Sequence, residues 1–400
     1  MLIFFDLPTA HEQLLPLSFT RPLAELRVGI LTLREKWEKH LGIFSSGFLT
    51  ASWLQEMYPF LPQPNGYLYL NGSVSPLPDL VEAVRQLPAE HGLVDADQSV
   101  LALRTTRKFT DPMEVSDYAF EESNLQFFEA RYNKLERPSD IFLTNREELI
   151  ADFQLLTAGR KSAPINDPHT AVYGAGQVFL EEGARVRAAT LNAESGPIYI
   201  GKNAEVQEGC HVRGAFALND HATLNMGAKI KGDTTIGPFC KVGGEVSNSV
   251  LMGYSNKSHD GFLGNSVLGE WCNLGADTNV SNLKNNYSRI KVWDYGSQDF
   301  QQTELIFHGL VMGDHAKCGI NTMFNTGTLV GVGANVFGGG FPPKFVPSFS
   351  WGGSIGLKTF ELDKFFEMAN RMMQRRNKVL TADHRRMLTA VFESTAKYRG

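Results

Sequence analysis

Between residues 200 and 242 an aliphatic side chain returns every six positions: Ile200, Val206, Val212, Leu218, Leu224, Ile230, Ile236 and Val242. Two places before each of the last seven stands a residue that is nearly always small: Ala204, Cys210, Phe216, Ala222, Ala228, Thr234 and Cys240. A period of six fits neither the 3.6 of a helix nor the 2 of an ordinary strand. It predicts a hexapeptide β-helix, in which three short strands make one triangular coil and the aliphatic residue points into the bore. The small residue then sits where the chain turns a corner. The period returns at Leu268, Leu274 and Val280, and again at Met312, Cys318, Phe324, Val330 and Val336. At three hexads to a coil this makes about five coils. Where the period lapses, at 243–265 and 281–309, irregular segments are expected.

The front of the chain carries a different pattern. MLIFFD, GYLYLNG and NLQFFEAR read as strands, and VGILTLREKWEKHLG, PLPDLVEAVRQL and REELIADFQLLTAGR as helices. Apolar strands alternating with helices predict a mostly parallel sheet covered on both faces. Residues 161–170, KSAPINDPHT, read as a linker. The domains expected are therefore an α/β domain over 1–160, the linker, a left-handed parallel β-helix over 171–355 and a helical tail over 356–400. In the tail, Phe365, Phe366, Met368, Met372 and Met373 form an apolar stripe for packing, and Thr381 suits an N-cap with His384 at the third helical position.

Composition adds exclusions. The net charge of −5 comes with no basic run of the kind that tracks nucleic acid. No apolar stretch reaches the length of a membrane span, and the first residues lack a signal peptide's basic flank and long apolar core. Cys210, Cys240 and Cys272 fall at the small-residue position and Cys318 at an aliphatic one, so all four read as buried thiols suited to a reducing cytoplasm. His211, His221, His259, His308 and His315 show no His-x4-His spacing, so zinc is not expected.

The lapse at 243–265 is rich in Gly and polar residues and holds Lys257, His259 and Asp260. Its continuation, HDGFLGNSVLGEWCNLGADTNVSNL, resembles the acetyl-transfer domain of the bacterial bifunctional enzymes that make UDP-N-acetylglucosamine. The resemblance covers roughly the second half of the chain. It implies that His259 is the general base for the amine of glucosamine-1-phosphate, and that Asn273 and Asn282 hold the sugar and the acetyl group. Phe262 stands where the family usually has tyrosine, and Asp277 where it has a second glycine. The chemistry agrees, because acetyl transfer from a thioester needs a neutral amine and a positioned base contributes about 10²–10⁴-fold. Lys241 and Lys284 are candidates for the sugar phosphate, with a solvated surface charge as the bland alternative.

The segment FFDLPTAHEQLLPLSFTRPLAELRVG keeps the frame of a sugar nucleotidyltransferase but has no glycine before Arg27, where the family has a Gly-rich phosphate loop. Arg21 and Arg27 are the candidates to grip phosphate instead, with surface residues capping a helix-rich domain as the bland alternative. Asn71 and Gly72 resemble the family's nucleotide and metal segment, with Ser73 where a magnesium-binding aspartate is usual, which leaves Asp6 as the candidate metal ligand. The resemblance implies Mg²⁺ and acetyl-CoA, a sugar phosphate, UTP or another NTP as partners, and a homotrimer. The function expected is acetyl transfer to glucosamine-1-phosphate followed by uridylyl transfer to N-acetylglucosamine-1-phosphate. The alternatives are a single surviving activity, or a non-catalytic sugar-nucleotide-binding scaffold.

Overall fold

The computed structural model describes residues 1–60 and 66–399. It divides into two compact units, one of Met1–Leu26 with Leu31–Arg137 and one of Arg27–Ile30 with Pro138–Gly400.

The first unit is a six-stranded sheet of β1 (Leu2–Phe5), β2 (Ser45–Leu49), β3 (Tyr67–Asn71), β4 (His91–Val94), β5 (Val100–Thr105) and β6 (Asn124–Phe127), in the order β2-β1-β3-β5-β4-β6. Only β5 runs against the others. Period-two alternation divides the apolar residues between two cores. Leu2, Phe4, Leu68 and Leu70 join Trp37, Val81 and Val84 on one face, and Ile3, Phe5, Tyr67 and Tyr69 join Phe109, Val115 and Ala119 on the other. The helices are α1 (Pro8–Gln13), α2 (Leu33–Leu41), α3 (Pro78–Gln86) and α4 (Pro112–Glu121). α2 starts on a capping box between Thr32 and Glu35 and stops at Gly42 in the left-handed conformation.

The second unit opens with α5 (Pro138–Thr157), which lies along the β-helix. Its buried polar residues explain why it is not simply amphipathic. Asn145 Oδ1 accepts from Gly29 N at 2.7 Å and Thr235 Oγ1 at 3.2 Å, and Asp152 Oδ2 accepts from Ile30 N at 2.7 Å. The four residues Arg27–Ile30 are thus bound between this helix and the coil, where Thr235 Oγ1 also donates to Gly29 O at 2.8 Å. Residues 161–170 are tied to the coil rather than hanging from it. Ala163 N donates to Leu180 O at 2.9 Å, and Ala163 and Ile165 pack against the end of the bore.

The β-helix is left-handed and parallel, and one of its ladders has nine strands, from Val178–Leu180 to Phe345–Val346. This is more coil than the hexads alone mark out. Leu180, Ile200, Leu218, Ile236, Leu251, Leu268, Met312, Val330 and Val346 stack in one line down the bore. The expected break at 243–265 is absent: strands Glu245–Ser247, Val250–Gly253, Asn256–Lys257 and Phe262–Gly264 carry the coil straight through it. Two things hid them. The step from Ile236 to Leu251 is shorter than the step from Leu218 to Ile236, and the inward position paired with Val242 is Lys257, not an aliphatic residue. Residues 281–309 do leave the coil, as an excursion holding an antiparallel hairpin of Lys291–Asp294 and Asp299–Gln302. Trp293 of that hairpin stacks on Phe345 at 4.1 Å.

One corner of the coil repeats a left-handed residue on every turn. His221, Phe239, Tyr254, Trp271 and His315 have φ between 53° and 61° and stack in succession at 4.8, 5.0, 4.3 and 6.1 Å. Left-handed backbone costs a side-chain-bearing residue about 1–2 kcal/mol, and each ring pair returns about 0.5–1.5 kcal/mol. Helices α6 (Leu362–Gln374) and α7 (Ala382–Ser394) complete the unit. Phe365 of α6 meets His315 and Phe349 edge-on at 5.8 and 4.9 Å, and α7 is capped by Thr381 as its sequence predicts. Among the described residues no helix is long and apolar enough to cross a membrane. All four cysteines are buried and unpaired, and burial pushes the Cys240 thiol up to about 12.

Gly237 tests the stacking of coils. A Cβ there would fall inside the carbonyl of Met252 on the next turn, a backbone atom with nowhere to go. Gly237→Ala should lower stability by about 1–3 kcal/mol, read as a lower urea midpoint, whereas Gly176→Ala, with open space around its Cβ and no left-handed backbone, should cost less.

Candidate functional site

In an open α/β sheet ligands bind outside the carboxyl ends of the strands. In the first unit that edge carries Asp6 after β1, Thr50 after β2, and Asn71, Gly72 and Ser73 at the end of β3. Asp6 Oδ2 accepts from Thr50 Oγ1 at 2.6 Å and from Leu23 N at 3.0 Å, while Oδ1 is buried without a hydrogen bond. Gly72 lies against that oxygen so closely that no Cβ would fit. Asn71 is spent on its own turn: its Nδ2 donates to Val100 O at 3.0 Å, and its Oδ1 accepts from Ser73 N at 3.1 Å and Ser73 Oγ at 2.8 Å. Asp6, Asn71 and Gly72 are therefore together, but they brace the strand ends.

The two arginines separate. Arg21 is buried in the first unit, and Arg27 belongs to the second, where its Nε donates to Met252 O at 3.3 Å and its Nη1 to Ile30 O. Magnesium requires several oxygen ligands in an open octahedral shell. Asp6 has one oxygen bonded to Thr50 and Leu23 and the other enclosed against Gly72, and the described residues contain no group of three His, Cys, Asp or Glu side chains that could hold a metal. These residues do not fit a resident Mg²⁺.

In the β-helix, His259 is exposed on the corner between Asn256–Lys257 and Phe262–Gly264. The corner is anchored from inside the bore, because Lys257 Nζ donates to His259 O at 2.6 Å and to Gly243 O at 3.0 Å. Burial pulls the Lys257 ammonium down to about 8. Beyond the corner, Phe262 and Asn282 close over Gly264, where a Cβ would stand 2.5 Å from the Phe262 ring and 2.7 Å from Asn282 Nδ2. Asn282 Nδ2 donates to Asn265 Oδ1 at 2.8 Å. Lys284 lies in the excursion, with its Nζ on Arg289 O at 2.8 Å.

Lys241 and Asn273 fall on the adjoining face, in an outward ladder of Lys241, Asn256, Asn273 and Lys317. That ladder lines a cavity of about 460 Å³, closed on its other side by Arg371, Arg375 and Arg376. The sequence-predicted residues thus form two groups, Lys241 with Asn273 in the cavity and Phe262 with Asn282 past the His259 corner. Lys317, Asn256 and the three arginines escaped sequence reasoning. The ladder would have appeared had the shortened coil been recognised, since each member directly precedes an inward residue. No sequence signal places the tail arginines beside it.

With this geometry in place, the relatives become informative. Residues 2–161 match the sugar nucleotidyl transferase family. The bifunctional sugar-1-phosphate nucleotidylyltransferase/acetyltransferase of Sulfurisphaera tokodaii is 29% identical over 146 residues, 36% of this chain and 36% of that one. The bifunctional protein GlmU of Paracoccus denitrificans is 31% identical over 140 residues, 35% of this chain and 26% of that one. The chain therefore spans about a third of the length of the curated relatives it matches. The crystal structure of Arabidopsis UDP-N-acetylglucosamine acyltransferase aligns at 15% identity with a TM-score of 0.23, over 58% of this chain and 93% of that one. The nucleotidyl transferase match thus includes the braced strand ends and runs on through α5.

Burial of Asp6 has a consequence for stability. Desolvation raises its carboxyl from 3.8 to about 7, outweighing the bonds from Thr50 and Leu23. Between those values the folded chain holds a proton that the unfolded chain has released, so this contribution falls as pH rises from about 4 to about 7 and is level above. His11 and His308, held near 4 by burial, act with opposite sign over the same range. Comparing Asp6→Asn with the parent cancels the histidines: the variant's urea midpoint should gain on the parent's steadily from pH 4 to pH 7 and then stop gaining.

Proposed function

We propose that this chain is a transferase of sugar nucleotide synthesis, in which the β-helix acetylates an amino-sugar phosphate and the front unit handles the sugar nucleotide. The observation that carries the reading is the union, in one chain, of a front that matches sugar nucleotidyl transferases with a β-helix that presents an exposed His259 on the corner leading into Phe262, which packs with Asn282 over Gly264. The relatives named as both nucleotidylyltransferase and acetyltransferase support the same pairing.

In this reading glucosamine-1-phosphate binds with its amine at His259. The imidazole takes the amine proton as the nitrogen attacks the thioester carbonyl of acetyl-CoA; the carbon–sulfur bond then breaks and the departing thiolate is protonated. Asn282 has its amide nitrogen on Asn265, which leaves its carbonyl oxygen to accept from the substrate. Asn273 and Lys241 serve the sugar phosphate from the neighbouring face, and Lys284 from the excursion. Phe262 supplies only apolar contact. The protein works as a homotrimer in the cytoplasm, each coil face completing its neighbour's site. The front unit couples the acetylated sugar phosphate to UTP. A second reading, in which that unit binds the sugar nucleotide without making it, is favoured by the engagement of Asn71 and Ser73 with each other and the enclosure of Asp6.

Incubation with glucosamine-1-phosphate, acetyl-CoA and UTP, following CoA thiol and pyrophosphate separately, distinguishes the readings. Both products support the full proposal, CoA alone the second reading, and neither defeats it. His259→Ala should lower CoA release by at least about 100-fold while the sedimentation profile stays that of a trimer. Release within a few-fold of the parent would remove His259 from the base role.

A further inference from the structure

The cavity between the Lys241–Lys317 ladder and the end of α6 has a charge composition that a sugar monophosphate does not exhaust. Lys241, Lys317, Arg371, Arg375 and Arg376 line it, and no carboxylate does. Arg371 pairs with Glu367 at 3.3 Å. The other four make no ion pair among the described residues; Lys317 Nζ is on His315 O at 2.9 Å and Arg376 Nη2 on Asn256 Oδ1 at 3.4 Å. A helix carboxyl end favours basic residues through its dipole, which accounts for Arg371 in the last turn of α6 and for Arg375 and Arg376 at and just past its end. It does not account for Lys241 and Lys317, which come from the coil opposite. Tyr254 and Trp271 also line the cavity, and because their faces are occupied by stacking on each other at 4.3 Å they present their edges, the electropositive rim of the ring. Cations held together without counter-charge repel one another, and an anion that spans them removes that cost.

We propose that this cavity binds a ligand bearing two or more linked phosphates. One phosphate brings at most two negative charges to four uncompensated cations, whereas a diphosphate can reach both walls, accepting from the lysines on the coil and from the arginine forks on the helix. A volume of about 460 Å³ lies within the range of small-molecule sites. The same chemistry is carried by free pyrophosphate, by the diphosphate of acetyl-CoA and by that of a sugar nucleotide. The site shares Lys241 and Asn273 with the acetyl-transfer reading, but it is read out by binding alone, so either can fail while the other stands.

Calorimetric titration of the full chain with pyrophosphate and with orthophosphate is the test. Pyrophosphate should bind at least about tenfold more tightly, and raising the salt concentration should weaken it. The double variant Arg375→Gln, Arg376→Gln should lose at least about tenfold in pyrophosphate affinity. These side chains lie at the surface end of α6, so the melting temperature should hold near the parent's. Lys364→Gln, on the same helix but paired with Glu361, should bind as the parent does. Displacement of pyrophosphate by acetyl-CoA alone or by UDP-N-acetylglucosamine alone names the source of the diphosphate, and displacement by neither assigns the site to the inorganic ion. Equal affinity for the two phosphates, an unweakened double variant, or a Lys364→Gln variant weakened as much as the double variant would each overturn the proposal.

Discussion

Everything in the second unit hangs on one constraint, that each coil must place its inward side chains directly over those of the coil before it. The parallel ladders supply the backbone hydrogen bonds, such as Gly201 N to Leu218 O and Gly237 N to Leu251 O, and these fix the distance between turns. At that distance a bore lined by Leu, Ile and Val fills itself, and a close approach such as Gly237 against Met252 admits only glycine, while another corner carries stacked rings in the left-handed conformation. Regularity is thus imposed locally and repeated, and any departure must be compensated within a turn or two.

Lys257 is the clearest departure. An ammonium occupies a place that an aliphatic residue holds on neighbouring turns, and it survives there because two corner carbonyls, Gly243 O and His259 O, accept from it. The same two bonds fix the backbone of the exposed His259 corner to the rigid interior. A loop that carries a reactive side chain is useful only if its base does not drift, and here the base is held from within the bore. On the adjoining face the coil contributes a straight outward ladder, and α6 turns that ladder into one wall of a cavity.

The front unit solves a different problem. Its parallel strand ends converge where a nucleotide would be expected, yet the polar groups there are already paired: Thr50 with Asp6, Ser73 with Asn71, and both nitrogens of the Leu23 and Ser73 backbone with side-chain oxygens. A buried carboxylate with one oxygen unbonded raises its own proton affinity rather than waiting for a cation. The family match describes how this unit is built, and its strand ends differ in chemistry from an open, Gly-rich phosphate loop.

The six-residue period determined the β-helix by itself, because inward spacing is a property of the backbone repeat and every hexad reports it independently. The apolar runs MLIFFD and GYLYLNG likewise carried β1 and β3, and Thr381 marked a helix start by its own hydrogen bond, whereas the helix read from Val28 begins only at Leu33, behind the Thr32 cap. What the sequence could not show was whatever depends on how far each turn travels. The short turn from Ile236 to Leu251 looked like a break because the period, and not the coil, had changed. Arg27 looked like a phosphate ligand because with Arg21 it flanks the segment that resembles a phosphate region, whereas Asn145, Asp152 and Thr235 draw its neighbours into the second unit. The cavity joins residues of four turns and a distant helix, and only the stacking of coils brings Lys241, Asn273, Lys317 and Arg376 to one place. A repeat is written in local spacing, but a site on its surface is written in the register between turns, which only the folded chain sets.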